Sequence, residues 1–179
     1  MEAVELDIVG CYLIKPRILE DDRGCFIKTL NKDFFEENGL FSGFQEEYYS
    51  ISSKNVLRGM HFQKPPSEHV KLVYCISGEV EDVFLDLRKG SKTYNKFQNI
   101  RLDDRGREVL YLPQGIAHGF VALSDKVTMI YKTSSCYNPA HDDGVLWSSF
   151  GMDWVNIDPI LSSRDEGFLK LEDFESPFL

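Results

Sequence analysis

The chain has 179 residues, 42% of them apolar and 13% aromatic, which is enough for one compact domain with its own core and too little for two ordinary ones. Twenty Lys and Arg against 29 Asp and Glu leave a net charge of −9, which argues against a nucleic-acid surface or an anionic membrane but leaves room for a small phosphorylated ligand held by a few local cations. The start, MEAVELDIVG, lacks a basic stretch leading into an apolar one, and no later run approaches about 18 apolar residues, so a cytoplasmic protein is expected.

Short β-rich runs separated by turn residues follow one another at roughly 11–14, 25–30, 47–53, 69–76, 79–87, 97–102, 108–112, 118–123 and 127–134. This rhythm predicts an all-β antiparallel sandwich or barrel rather than βαβ units. A helix is expected at Lys32–Asn38, stopped by Gly39. The clearest hairpin turns at Ser77-Gly78, where glycine can supply a positive φ. Alternation puts Lys71, Val73 and Cys75 on one face of its first strand. On the return strand Val80, Asp82, Phe84 and Asp86 share a face, opposite Val83, Leu85 and Leu87. Two carboxylates in step with a Phe make either a row turned toward a functional interior or a solvent-facing row on an edge. A short helix is expected near Asp165–Phe168, and the stretch Leu171–Leu179 is expected to lie on the barrel or on a partner subunit. Cys11, Cys25, Cys75 and Cys136 form no C-x-x-C pair and read as buried free thiols.

Three histidine-containing places stand out: Arg58-Gly59-Met60-His61-Phe62-Gln63, His69, and Pro113-Gln114-Gly115-Ile116-Ala117-His118-Gly119-Phe120. An imidazole, a guanidinium and an ammonium on one sheet face would place a general base beside anion-binding groups, and His61, Arg58 and Lys71 are spaced to do so. In a regular strand, however, Arg58 and His61 point to opposite faces. A bulge at Gly59 would relieve this, as would a strand giving way to a loop. There is no H-x-H cluster of the sort that binds Fe, Mn or Zn, so no metal is expected. G-x-G-x-x-G, Walker and G-x-S-x-G signatures are missing too.

The blocks D-D-R-G-C-F (21–26), N-V-L-R-G-M-H-F-Q (55–63), K-L-V-Y-C-I-S-G-E-V (71–80), D-V-F-L-D-L-R (82–88), Y-L-P-Q-G-I-A-H-G-F (111–120), I-Y-K-T (130–133) and I-L-S-S-R-D (160–165) resemble, in order, the dTDP-4-dehydrorhamnose 3,5-epimerase family. The resemblance implies a cupin-type β jelly roll, a homodimer, an active site inside the barrel and no cofactor. It implies His61 as base, Asp165 as its orienting carboxylate, Tyr131 as proton donor and Lys71 beside the developing enolate. The substrate, a nucleoside-diphosphate sugar, would be contacted by Arg23, Phe26, Lys28, Glu46, Arg58, Gln63, His118, Tyr137, Asp142 and Arg164. Read as plain structure, Tyr131 would be core, Arg23 a turn residue and Asp165 a helix cap.

The sequence also departs from the family pattern. Lys28 stands where most members have Glu, Glu46-Glu47-Tyr48 where Q-x-N is usual, and Asp142 where Glu is usual. These positions are expected near the nucleotide, so they bear on which base is bound. Ketoisomerases of the same fold resemble H-A-H after R-G, where this chain has Met60-His61-Phe62, which favours an epimerase.

Overall fold

The computed structural model describes residues 1–154 and 158–179. In chain order the strands are β1 (Glu2–Glu5), β2 (Tyr12–Lys15), β3 (Arg17–Asp21) and β4 (Gly24–Lys28); helix α1 (Lys32–Glu37) follows. Then come β5 (Glu46–Ser53), β6 (Leu57–Gln63), β7 (Lys71–Ser77), β8 (Glu79–Asp86), β9 (Phe97–Asp103), β10 (Val109–Leu112), β11 (Ile116–Ala122), β12 (Lys126–Thr133) and β13 (Asp142–Gly144). Helix α2 (Ser163–Glu166) and a 3-10 turn at Leu171–Asp173 complete the described elements.

The strands form a six-stranded sheet, β1-β2-β10-β7-β12-β5, facing a five-stranded sheet, β13-β6-β11-β8-β9, with β3-β4 as a separate hairpin. All pairings within these sheets are antiparallel. The result is the jelly roll that the family resemblance implies, within the antiparallel sandwich or barrel class that the spacing of short strands predicts.

Alternation decides what faces inward. Val73 and Cys75 of β7, Val80 and Phe84 of β8, Leu110 and Leu112 of β10, Phe120 of β11 and Met129 of β12 fill the space between the sheets. Asp82 and Asp86 share the inward face of β8 with Phe84, and both are fully buried, so the acidic row is interior and not solvent-facing. Asp86 is held by Arg88 and Thr93 at 2.7–2.8 Å, which accounts for its burial structurally.

The outer face of the five-stranded sheet is covered by the chain's own C-terminal segment. Phe174 and Phe178 stand edge-on to Phe62 at 5.4 and 5.6 Å between ring centroids, and the Lys89 amide donates to the Phe178 carbonyl at 3.0 Å. Helix α1, capped by the Asn31 side chain, seats Phe35 on the outer face of the other sheet beside Ile14, Leu72 and Val109. All four cysteines are free, but only Cys11 and Cys75 are buried; Cys25 and Cys136 are exposed, the first because the hairpin bearing it has no covering layer.

Candidate active site

The deciding local event is in β6. His118 of β11 pairs with His61, but Phe120 pairs with Arg58, so three steps on β6 match two on β11. This is a β-bulge, and it turns Arg58 and His61 toward the same interior. Glycine is required on both sides of it. A Cβ on Gly59, whose φ is +152°, would lie 2.6 Å from the Gly119 Cα, and one on Gly119 would lie 2.8 Å from the Arg58 carbonyl oxygen. The geometric objection raised by the Arg58–His61 spacing is therefore resolved by the bulge.

One end of the space between the sheets is left open as a cavity of about 460 Å³. His61, Arg58 and Gln63 of β6, Lys71 of β7, His118 of β11, and Tyr131 and Thr133 of β12 line it, with Tyr48 and Ser50 of β5. Glu46, His69, Tyr137, Asp142 and Arg164 stand on its wall as well.

His61 Nε2 lies 2.7 Å from Asp165 Oδ1. Asp165 comes from α2, where Ser162 caps the helix by accepting from the Asp165 amide, so Asp165 itself is not the cap. Its other oxygen accepts a long contact, 3.4 Å, from the amide of the bulged Gly59. Burial opposes ionisation of Asp165, but the bonds and charge of His61 with the Gly59 and Ser162 groups bring the carboxyl below its ordinary value. Burial lowers the His61 imidazole, against the pull of Asp165 and with the help of Arg164 and Lys71. Both shifts describe a neutral imidazole beside a carboxylate, the state in which His61 can accept a proton.

Lys71 is buried and donates to the His61 carbonyl oxygen at 3.1 Å; burial brings its ammonium down to about 8. Tyr131 is buried, its hydroxyl 3.1 Å from that of Ser50, and burial raises its phenol above the ordinary value, so it keeps its proton. His118 Nε2 meets both oxygens of Asp82 at 2.9–3.0 Å. Arg58 donates to the Ser52 hydroxyl at 3.1 Å. At the rim Arg164 donates to Asp142 at 2.8 Å, and its guanidinium lies 5.4 Å over the Phe168 ring, which is itself edge-on to His61 at 5.7 Å. Tyr137 is exposed at the rim, its amide donating to Glu46 at 2.9 Å.

Three sequence-derived candidates are not brought to this cavity. Arg23 sits in the turn between β3 and β4, its side chain 89% exposed and bound to Asp21 of the same turn. Phe26 is 59% exposed on that hairpin, and Lys28 lies at the hairpin's root opposite Arg17. The reason is topological: β3-β4 pairs with neither main sheet. Conversely, Tyr48 is on the cavity wall, stacked on Tyr131 at 4.9 Å and 15°, with its phenol pushed up to about 12, chiefly by burial. Its direct pairing with Tyr131 across β5 and β12 could be found only once the sheet register was known. Among the described residues no three His, Cys, Asp or Glu side chains converge as metal ligands.

The family model described as dTDP-4-dehydrorhamnose 3,5-epimerase matches residues 5–173. The chain belongs to this family. It is therefore an enzyme of the isomerase class. A dTDP-4-dehydrorhamnose 3,5-epimerase of Methanothermobacter thermautotrophicus is 39% identical over 95% of this chain and 94% of its own length. A dTDP-4-dehydrorhamnose 3-epimerase of Streptomyces niveus is 40% identical over 93% and 82%. The solved 3,5-epimerase of Legionella pneumophila, in complex with dTDP-4-keto-L-rhamnose, superposes with a TM-score of 0.92 at 30% identity, covering 97% of this chain and 94% of that one. No helix among the described residues is long and apolar enough to cross a membrane.

Proposed function

We propose that this epimerase inverts the carbons next to the ketone of a nucleoside-diphospho-4-keto-6-deoxyhexose, at C3 and C5, in deoxysugar biosynthesis for a surface polysaccharide. The observation that carries the reading is the placement of His61 and Tyr131 on opposite sheets, β6 and β12, facing one cavity. A base on one wall and an acid on the other address the two faces of a sugar ring held between them, which is what inversion requires. The ketone acidifies the C–H bonds on either side of it. His61 takes the proton, Asp165 orients the ring and steadies the imidazolium, and an enolate forms. Lys71, itself buried, supplies the positive partner for its oxygen, and the protonated Tyr131 returns a proton from the far side. Only protons move, so the reaction calls for no cofactor. Arg58 and Arg164 suit the diphosphate, and the exposed ring of Tyr137 suits the nucleobase.

In this reading the chain is a homodimer. Tyr49, Ile51 and Ile76 leave an apolar patch on the outer face of the six-stranded sheet, and Ile18, Leu19 and Phe26 do so on the β3-β4 hairpin. A second copy covering these surfaces would receive Arg23, Phe26 and Lys28 at its own cavity, where their chemistry toward a nucleoside diphosphate can be used.

The test is incubation with dTDP-4-keto-6-deoxyglucose in D₂O, followed by NMR at the sugar H-3 and H-5. Loss of both signals is expected. Loss of H-3 alone selects the second reading, a C3-only epimerase, for which the 40% identical Streptomyces niveus 3-epimerase speaks. Retention of both, with CDP and GDP analogues giving the same result, would overturn the reading.

A further inference from the structure

Among the described residues three buried side-chain polar atoms have no hydrogen-bond partner: Glu68 Oε2, His69 Nε2 and Glu81 Oε2. Only His69 belongs to the cavity wall. Its other nitrogen is committed. Gln63 Nε2 lies 3.0 Å from His69 Nδ1 and 3.0 Å from the Ser67 carbonyl oxygen, with the Cys136 carbonyl oxygen farther away at 3.4 Å. The Asn138 amide donates to Gln63 Oε1 at 2.6 Å, and this fixes which end of the Gln63 amide faces His69. An amide nitrogen can only donate, so Nδ1 accepts and the ring proton resides on Nε2.

Burial, with the positive charge of Lys71 nearby, holds His69 down to about 2, so the ring is neutral. A buried N–H left unpaired is costly, and one on the wall of a ligand cavity is available to a ligand. A neutral donor beside Lys71 and His118 suits an uncharged oxygen, whereas the phosphates are served by guanidinium groups.

We infer that His69, locked as its Nε2–H tautomer by the chain Asn138–Gln63–His69, is a specificity-determining donor to a hydroxyl or ketone oxygen of the sugar. This rests on the epimerase reading above. It assigns to Gln63 a positioning role, holding His69 through Nδ1 and the rim segment through Asn138.

The experiment compares wild type, His69→Leu and His69→Gln, measuring kcat/KM for dTDP-4-keto-6-deoxyglucose and Kd for dTDP alone. His69→Leu is expected to lower kcat/KM about tenfold, the worth of one lost hydrogen bond, with dTDP affinity unchanged. His69→Gln, which keeps an N–H donor, is expected to restore most of that loss. Wild-type kcat/KM in His69→Leu, or an equal loss of dTDP affinity, would overturn the assignment. A wild-type protein that neither binds nor turns over the sugar nucleotide refutes the epimerase reading instead. The tautomer is read independently from long-range ¹H–¹⁵N correlations of the free wild-type protein, where a proton on Nδ1 would overturn the proposal even if turnover behaves as expected.

Discussion

Two histidine–aspartate pairs stand on neighbouring strands of the same sheet, and their difference is informative. In the His118–Asp82 pair both partners come from adjacent strands, β11 and β8, and both side chains are closed off, at 4% and 0% exposure. In the His61–Asp165 pair the carboxylate is equally buried, at 4%, but arrives from α2, and the imidazole keeps 26% exposure. Both imidazoles stand on the cavity wall, but His118 gives one nitrogen to both oxygens of a fully buried Asp82 and is almost wholly enclosed, while His61 keeps far more of its ring exposed. A buried carboxylate partner alone therefore does not mark the reactive histidine. What marks it is a buried anchor on one side together with exposure to the cavity on the other.

Substitutions can separate the two pairs. The largest effect is expected from His61→Ala, which should lower proton exchange at the sugar carbons by about 10³- to 10⁴-fold, followed by NMR in D₂O. Wild-type exchange would transfer the role of base elsewhere. Next, Asp82→Ala, which leaves His118 buried beside an empty place, should cost about 3 kcal/mol in urea unfolding, with a smaller effect from the equivalent change at Asp165 because His61 can be solvated. Equal costs would erase the distinction between the pairs. Asp165→Asn should lower kcat about 100-fold by releasing the His61 ring, with little change in KM.

A last test is the pH dependence of stability. An unfolded histidine binds a proton near pH 6.5, whereas native His69 stays neutral until about 2, and His61 is also lowered. Below pH 6.5 the unfolded chain thus holds more protons, so stability should fall as pH drops from 6.5 toward 5, by up to about 1.4 kcal/mol per pH unit for each such histidine. Above 6.5 these groups contribute a constant amount. Urea melts at several pH values should show a shallower slope in His69→Gln; an unchanged slope would remove His69 from the account.

Much of the barrel was legible where one face of a strand is apolar. The β7-β8 hairpin, with Val73, Cys75, Val80 and Phe84 in step, follows from alternation alone. β1, β3, β6 and β13 escaped that reading for different reasons. Glu2–Glu5 and Arg17–Asp21 are largely or wholly exposed, Asp142–Gly144 is three residues long, and the bulge at Gly59 interrupts the period of β6. In the site, His61, Lys71 and Tyr131 could be named from their blocks, while the Tyr48 stack and the unpaired His69 nitrogen depend on register and on side-chain partners that no spacing encodes. The helix expected near Asp165–Phe168 begins two residues earlier, at Ser163, since its cap is Ser162.

Asp165 follows every strand of both sheets in the sequence. The group that holds the His61 ring therefore belongs to no strand of the barrel, and the orientation of the working imidazole depends on α2 lying against β6.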